Sequence, residues 1–208
     1  MPDLLILRHA QSTWNAEGRW QGQADPPLSP LGEGQARQGA RSLSFEDPFD
    51  LVVSSDLRRA ARTAALMRAE LELDTPHEVE AGLREYDVGA WSGCTRDEIE
   101  ARWPGFLNRF SSGELDAPPA GESRADFDAR VAEAARLVAE LAETRGSKRV
   151  LVVAHGGVVR SVARRAGQAE MRTGHMSGYR GTIRSGHLFP AEPVDLLMNR
   201  EGAVEPSP

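Results

Sequence analysis

The sequence predicts an α/β fold, a three-layer α/β/α sandwich with a mainly parallel sheet and a small inserted lobe. Three short apolar runs, at residues 3–7, 51–53 and 150–154, are typical of buried strands. Between and after these runs, apolar residues recur every three or four positions, as they do on one face of a helix. Strands that alternate with helices favour a parallel sheet covered by helices on both faces.

Capping residues predict where the helices begin. Ser29-Pro30 supplies an N-cap and a first-turn proline for a helix that runs to about Leu43. Residues 54–56 (Ser-Ser-Asp) are expected to cap the next helix, whose apolar stripe is Leu57, Ala60, Ala64, Met67 and Leu71. Ser123 with Asp126 resembles a capping box that opens a long helix with the stripe Phe127, Val131, Ala134, Val138 and Leu141.

Other segments have weaker patterns. Residues 78–83 are expected to form an edge strand, and two further strands near residues 182–189 and 194–198 should close the sheet. Residues 89–121 are rich in Gly, Pro and Trp, which predicts an irregular or only briefly helical segment.

The length of 208 residues suits one globular domain. We predict that this domain spans residues 1–200, with a lobe inserted at about residues 88–122 and a disordered tail at residues 201–208. Hydrophobic residues make up 40% of the chain and charged residues 27%, which allows a sizeable core.

The composition argues against several classes of protein. A net charge of -6 is a poor match to nucleic-acid binding, which requires a basic surface. No apolar run approaches the ~20 residues of a membrane span, and the N-terminus lacks the basic region and cleavage site of a signal peptide. Cys94 is the single cysteine, so no internal disulfide or cysteine-based metal site is expected. We therefore expect a cytoplasmic protein.

The arginines are unevenly distributed. They cluster on two predicted helices, at Arg58, Arg59 and Arg62 and at Arg160, Arg164 and Arg165. Such clusters commonly lie on solvated helix faces, but a local cationic pocket in an acidic protein would instead indicate a small anionic substrate.

Polar residues follow three of the predicted strands directly. Arg8-His9, Ser54-Ser55 and His155-Gly156 each stand at a strand end. In parallel α/β sheets, ligands bind beyond the carboxyl ends of the strands, so these positions should converge. Histidine can attack phosphorus to form a covalent intermediate, and arginine matches phosphate oxygens with its planar fork.

Five blocks in order resemble the histidine phosphatase superfamily, also called phosphoglycerate mutase-like, and in particular its phosphatase branch. The match extends from the first strand to about Arg165. The blocks are residues 7–15 (LRHAQSTWN), 54–60 (SSDLRRA), 83–85 (LRE), 121–123 (GES) and 153–157 (VAHGG).

The resemblance implies the catalytic roles. His9 is the nucleophile and becomes a transient phosphohistidine, while Arg8, Arg59 and His155 hold the phosphoryl oxygens. Glu85 protonates the leaving oxygen and then activates water. The resemblance implies that no metal is needed, and we expect no cofactor for the phosphatase.

Further positions are implied to bind the substrate. They are Asn15, Gln21, Gly22 and the backbone N–H of Gly156, in addition to Arg8 and Arg59. An N–H group at the start of a helix suits an anion. Residues 174–180 (GHMSGYR) do not follow the family pattern, and His175 is expected on a surface loop, with a position at the mouth of the pocket as the alternative.

Three functions are compatible with these residues. We predict a metal-independent phosphatase of the histidine acid type, acting on a small phosphorylated metabolite. The alternatives are a cofactor-dependent phosphoglycerate mutase and a non-catalytic phospholigand-binding protein. Mutases carry a longer insertion between the acid and the second histidine than the 155 − 85 = 70 positions here, and their tyrosine and lysine for the carboxylate correspond to Val88 and Arg96. The oligomeric state stays open.

Overall fold

The computed structural model describes residues 1–168 and 173–198 of the chain. Six strands form one sheet in the order β3-β2-β4-β1-β5-β6. The strands are β1 (Asp3–Arg8), β2 (Leu51–Ser54), β3 (His77–Val79), β4 (Arg149–Ala154), β5 (Ser177–Arg184) and β6 (His187–Asp195). The first four are mutually parallel, and the β5–β6 hairpin adds antiparallel to β1.

Seven α-helices connect or cover the strands in the described residues. They are α1 (Thr13–Ala16), α2 (Pro30–Arg41), α3 (Arg58–Glu70), α4 (Arg96–Arg102), α5 (Phe106–Ser112), α6 (Arg124–Arg145) and α7 (Gly156–Arg165). Two short 3-10 helices lie at Ala81–Leu83 and Gly89–Trp91.

Alternation along the strands produces the three layers. In β1, Leu4 and Ile6 enter the core formed with α6 and α7, whereas Leu5 and Leu7 enter the core formed with α2 and α3. β2 and β4 alternate in the same way. The predicted α/β sandwich with a mainly parallel sheet is confirmed.

The cap predicted at Ser29 is confirmed, and the capping box predicted at Ser123 is correct in part. The Ser29 side chain accepts the Gly32 N–H at 3.0 Å, with Pro30 in the first turn of α2. Ser123 accepts the Asp126 N–H at 3.0 Å, but the return bond of a capping box is replaced by a bond from the Ser123 hydroxyl to the Asp126 carboxylate.

The predicted cap of α3 is wrong. Its N-cap is Leu57, which makes no side-chain bond, and the first-turn N–H of Arg58 is bound by the Asp25 carboxylate at 2.7 Å. Asp56 instead pairs with Arg84, with Oδ1 2.8 Å from Nε. The cap therefore comes from a distant loop, which local spacing does not reveal.

The closing strands also differ from the prediction. Residues 182–189 were expected as one strand, but Ser185 and Gly186 both adopt positive φ and make a tight turn between β5 and β6. The second predicted strand, at residues 194–198, overlaps β6 only at its end. The expected edge strand at residues 78–83 stops at Val79 and continues as a 3-10 helix.

The segment between Gly89 and Gly121 is briefly helical, as predicted. Residues of this segment form a third apolar cluster, separate from the two that flank the sheet; its buried members are Val88, Trp91, Cys94, Ile99 and Leu107. The description of residues 88–122 as an inserted lobe stays a prediction. The predicted tail, residues 201–208, and the end of the predicted domain lie outside the described residues.

Two glycines of α2 should respond oppositely to alanine. A Cβ at Gly32 would lie 1.9 Å from the Gln11 carbonyl oxygen, whereas a Cβ at Gly34 meets nothing within 4 Å. Gly32→Ala should lower the free energy of unfolding by about 1–3 kcal/mol. Gly34→Ala should raise it by about 0.5–1 kcal/mol, because alanine favours the helix. Urea unfolding measures both, and destabilisation by Gly34→Ala would contradict the packing described.

Candidate active site

The parallel pairing of β1 with β4 brings the two sequence-predicted histidines together. Arg8 lies opposite Ala154, and the His9 N–H donates to the Ala154 carbonyl at 2.9 Å. The rings of His9 and His155 lie 5.1 Å apart, centroid to centroid. Above this strand edge opens a cavity of about 1020 Å³, whose lining includes Arg8, His9, Asn15, Gln21, Gly22, Arg59, Glu85 and Gly157.

Hydrogen bonds orient the His9 ring. Its Nδ1 lies 2.6 Å from the Ala10 carbonyl oxygen, which can only accept, so Nδ1 carries the proton. Its Nε2 accepts a hydrogen bond from Arg59 Nε at 3.2 Å and therefore bears the lone pair. Burial, together with the neighbouring His155 ring and the charges of Arg59 and Arg8, holds the pKa of His9 well below its usual 6.5. The ring is thus a neutral imidazole with a nucleophilic Nε2.

Arg59 is the buried cation next to this nitrogen. Its side chain is held by the Ala24 and Gly22 carbonyls, which accept from Nη1 at 2.7 Å and from Nη2 at 2.8 Å. Burial lowers the pKa of Arg59 to about 10, so the guanidinium keeps its charge at neutral pH. Its backbone contacts fix the fork beside the position that a transferred phosphoryl group would occupy.

Arg8 approaches the same region from the other face of the sheet. It continues the side of Leu4 and Ile6, toward α7, and its Nη1 donates to the Thr173 carbonyl at 2.8 Å. Burial lowers the pKa of Arg8, an effect that the Glu85 carboxylate opposes. Two guanidinium groups consequently flank His9, as an oxyanion requires.

His155 lies next to His9 in the interior and is not among the residues that line the cavity. It is fully buried, and neither ring nitrogen has a hydrogen-bond partner among the described residues. Burial and the charges of Arg59, Arg8 and Arg130 hold the pKa of His155 well below its usual value. A neutral imidazole without a partner has one N–H available for an anion and would otherwise leave a buried polar group unsatisfied.

Glu85 is attached to the start of α7. Its Oε2 accepts the Gly157 N–H at 3.1 Å, and its Oε1 accepts the Tyr86 N–H at 2.9 Å. A Cβ at position 157 would lie 2.2 Å from Glu85 Oε1. Glycine at this position therefore permits the carboxylate to lie directly against the helix that begins after His155.

The loop of Glu85 is held by an arginine that the sequence did not identify. Arg130 on α6 donates to the carbonyls of Gly82, Arg84 and Glu85 at 2.8, 3.0 and 3.3 Å. It also pairs with Glu122, whose Oε2 lies 2.8 Å from Nη2. Because Glu122 is engaged in this ion pair, it does not compete with Glu85 as the acid of the site.

Of the remaining implied residues, Asn15, Gln21 and Gly22 line the cavity, and Gly156 lies outside the lining. The Asn15 amide oxygen accepts the Ser12 N–H at 3.2 Å, and the Gln21 amide oxygen accepts the Ser12 hydroxyl at 2.6 Å, which leaves both NH2 groups as donors for an anion. The Gly22 carbonyl binds Arg59. Gly156 begins α7, where its backbone N–H lacks a helical partner.

His175 was expected on a surface loop, but it is only partly exposed, and it is not among the residues that line the cavity. Its ring is half-buried and 6.3 Å from that of His9, centroid to centroid, and its buried Nε2 has no partner among the described residues. Burial and the nearby Arg8 charge lower the pKa of His175 to about 4. The loop is drawn inward because Met176 N–H donates to the Arg8 carbonyl at 3.1 Å.

The outer cavity contains residues that sequence reasoning passed over. They are aromatic or cationic and include Tyr86, Phe110, Phe127 and Arg124. No spacing rule marks them, because they come from separate loops and helices. One signal was present, since Arg160 and Arg164 of the second arginine cluster also line the cavity.

A buried imidazole flanked by two arginines at the carboxyl edge of a parallel sheet is suited to accepting a phosphoryl group. Comparison with known proteins also indicates an enzyme that transfers phosphoryl groups. The chain belongs to the histidine phosphatase superfamily (branch 1), whose sequence profile matches residues 4–181. The resemblance inferred from the five blocks is confirmed.

Relatives in this family have two kinds of activity. The chain is 37% identical over 203 residues to a glucosyl-3-phosphoglycerate phosphatase of Mycobacterium tuberculosis, covering 93% of this chain and 90% of that protein. It is 37% identical over 162 residues to a 2,3-bisphosphoglycerate-dependent phosphoglycerate mutase of Methylobacterium radiotolerans, covering 76% of each. The crystal structure of a phosphoglycerate mutase from Bacillus anthracis superposes with a TM-score of 0.80 at 25% identity, covering 94% of this chain and 93% of that one.

Two kinds of feature are absent from the described part of the chain. Within residues 1–168 and 173–198, no helix is long and apolar enough to cross a membrane. In the same residues, no group of three or more His, Cys, Asp or Glu side chains is placed to hold a metal ion.

The buried histidines should make stability depend on pH. The pKa values of His9, His155 and His175 are lowered by folding, so below the usual 6.5 the unfolded chain binds more protons than the folded one. The free energy of unfolding should therefore fall with decreasing pH below 6.5, by up to about 1.4 kcal/mol per pH unit for each histidine.

Urea unfolding between about pH 7.5 and pH 5.5 measures this slope. His155→Gln should reduce it by the share of one buried histidine. His187→Gln, which removes an exposed imidazole, is the control and should leave it as in the parent. Equal slopes for the parent and His155→Gln would contradict a neutral, buried His155.

Proposed function

We propose that the protein is a phosphate monoester hydrolase that works without a metal, as a histidine acid-type phosphatase, on a small phosphorylated metabolite. One observation carries the proposal. His9 is a neutral imidazole with its proton on Nδ1 and its Nε2 lone pair directed to Arg59, the cation that would neutralise an incoming phosphoryl group. A relative named as a phosphatase supports hydrolysis as the outcome.

In the first step, His9 Nε2 attacks phosphorus and the P–O bond to the leaving group breaks. Arg8 and Arg59 balance the charge of the phosphoryl oxygens, so that positioning and electrostatics lower the barrier. The hydrogen bond from Arg59 Nε passes from His9 Nε2 to a phosphoryl oxygen as the N–P bond forms. Glu85, in its acid form, gives its proton to the leaving oxygen, and a phosphohistidine results.

In the second step, water attacks the phosphohistidine from the side that the alcohol has left. Glu85, now a carboxylate, takes the proton of the water, and the N–P bond breaks to release inorganic phosphate. Its two backbone donors, the N–H groups of Tyr86 and Gly157, keep the carboxylate in one place through both steps. His9 is returned to its neutral form.

Mutase activity is the second candidate, because a relative is named as a mutase. The resemblance places tyrosine and lysine of the mutases at Val88 and Arg96. Val88 lines the cavity with an apolar side chain, and Arg96 is an exposed residue outside that lining. These residues therefore offer no carboxylate clamp in the mutase position, which favours hydrolysis.

We expect His9 to become phosphorylated during turnover. Mixing enzyme with a phosphate ester labelled in the phosphoryl group, then quenching under alkaline conditions that preserve phosphohistidine, should place the label on His9. His9→Ala should take up no label and lose hydrolysis, while His187→Ala, at an exposed position, should keep both.

Product analysis in the same reaction separates the candidates. Release of inorganic phosphate in equal amount to the alcohol supports hydrolysis. Transfer of the label to a second acceptor, without inorganic phosphate, would establish the mutase instead. Tight binding without turnover would indicate a phospholigand-binding protein.

Glu85→Gln should separate protonation of the leaving group from phosphoryl transfer itself. With an alkyl phosphate, phosphorylation of His9 should slow by roughly 10²- to 10⁴-fold, the usual range for general acid catalysis. An aryl phosphate, whose leaving group needs little protonation, should lose far less in this step. Dephosphorylation should slow with both esters, so the phosphoenzyme should accumulate with the aryl ester.

Single-turnover kinetics measures the two steps separately. Equal losses for alkyl and aryl esters in the phosphorylation step would mean that Glu85 is not the acid. Glu133→Gln, an exposed substitution on α6, is the matched control and should change neither rate.

A further inference from the structure

The cavity carries more positive charge than one phosphoryl group requires. Among the described residues that line it, the carboxylates are Glu85 and Asp128, whereas the arginines are Arg8, Arg19, Arg59, Arg124, Arg160 and Arg164. We propose that Arg160 binds a second anionic group, carried by the leaving group of the substrate. This inference rests on the proposed hydrolase function and specifies its substrate class.

The other arginines are already engaged. Arg164 pairs with Asp128, at 2.8 Å from Nη2 to Oδ1, and Arg19 pairs with Glu17 at 3.0 Å and Glu98 at 3.2 Å.

Arg124 lies over the Phe110 ring, 4.4 Å from its centroid, and donates to the Phe110 carbonyl. Arg160 has no hydrogen bond or ion pair with any residue that the structure describes. Among the described arginines of the cavity lining, it is the one that has no hydrogen bond, ion pair or aromatic contact.

Arg160 lies close to Arg8 and Gly156, two of the residues proposed to bind the phosphoryl group. Gly156, Arg160 and Arg164 follow each other at intervals of four along α7 and therefore share one face of the helix. Helical side chains point back toward the N-terminus, and Arg160 Nη1 lies 3.2 Å from the position of a Cβ built at Gly156. Arg8 Cδ lies 3.5 Å from the same position, so the two arginines flank the start of α7.

Arg160 and Arg8 are two like charges at the start of α7, and Arg160 is exposed in the open cavity, where an anionic group of a ligand can reach it. Burial is the main cause of the lowered pKa of Arg8, and the positive charge of Arg160 acts in the same direction, as expected for two neighbouring guanidinium groups. In the proposed mechanism the phosphoryl group already has Arg8, Arg59 and the Gly156 N–H as donors. A further oxyanion on the leaving group would relieve the repulsion and would match the planar fork of Arg160.

The substrate class follows from this chemistry. It is a phosphate monoester whose leaving alcohol carries a carboxylate or a second phosphate close to the ester oxygen. Both groups present oxygens to an arginine in the same geometry, and the charge of the cavity suits either one.

Three esters of one chain length test the inference. They are propyl phosphate, the phosphate ester of 3-hydroxypropanoic acid, and propane-1,3-diol bisphosphate, which differ only in the end remote from the ester. The parent enzyme should hydrolyse the two charged esters with a higher kcat/KM than propyl phosphate. In Arg160→Met this preference should fall by roughly 10- to 100-fold, the range of a charge-assisted hydrogen bond, while propyl phosphate changes little.

Arg165→Met is the matched control, because Arg165 lies on the same helix but outside the cavity lining. It should keep the preference, and Arg160→Lys should recover part of it. A parent enzyme with no preference, or an Arg160→Met variant with equal losses on all three esters, would overturn the inference. The second result would mean that Arg160 acts on the transferred phosphoryl group.

Failure of the proposed hydrolase function can be distinguished from failure of the Arg160 subsite. If the parent hydrolyses none of the esters, or if His9→Ala still hydrolyses them, the hydrolase mechanism is wrong. Calorimetric titration of the same three esters then tests Arg160 alone. Loss of the affinity difference in Arg160→Met supports the anion subsite, and an unchanged difference refutes it.

Discussion

The parallel ladder between β1 and β4 is the interaction on which the site depends. It places the Arg8-His9 pair, near the start of the chain, beside His155 and Gly156, near its end. The hydrogen bond from His9 N–H to the Ala154 carbonyl extends this ladder by one residue beyond the strands. Because a shift in register would send alternate side chains to opposite faces, the pairing fixes which side each functional residue faces.

The two guanidinium groups next to this strand pairing have two effects. Arg8 and Arg59 are positioned to bind an anion, and the same two charges, together with burial, keep His9 unprotonated. A histidine without these neighbours would be partly protonated near pH 6.5 and would lose its lone pair. The cations that bind a phosphoryl group are therefore also the cations that keep the proposed nucleophile active in mild acid.

Local sequence predicted those features that depend on neighbouring residues. The caps at Ser29 and Ser123 and the strand ends at His9 and His155 were recognisable because each depends on residues adjacent in the chain. The start of α3 was not, because its capping carboxylate, Asp25, belongs to another loop.

Some residues of the candidate site were likewise predictable from the sequence, and others were not. His9, Arg59 and Glu85 belong to motifs that the sequence displays. Arg130 donates to backbone carbonyls, which every residue has. Its role therefore leaves no pattern of side chains in the sequence. His175 is partly buried because the next residue, Met176, donates its N–H to the Arg8 carbonyl. This hydrogen bond joins distant parts of the chain and exists only in the folded protein.

The third apolar cluster supports the part of the cavity that would hold the alcohol, and it is distinct from the cores that support the phosphoryl-binding residues. The groups around His9 are held by the two cores of the sheet, whereas part of the outer wall of the cavity comes from the segment packed on Trp91. Among the described residues, Tyr86 packs against both this cluster and the core beneath α6. Substitutions around Trp91 can therefore reshape the space for the alcohol while the phosphoryl-binding edge keeps its geometry. An ancestral domain built in this way could acquire new substrates without rebuilding its chemistry.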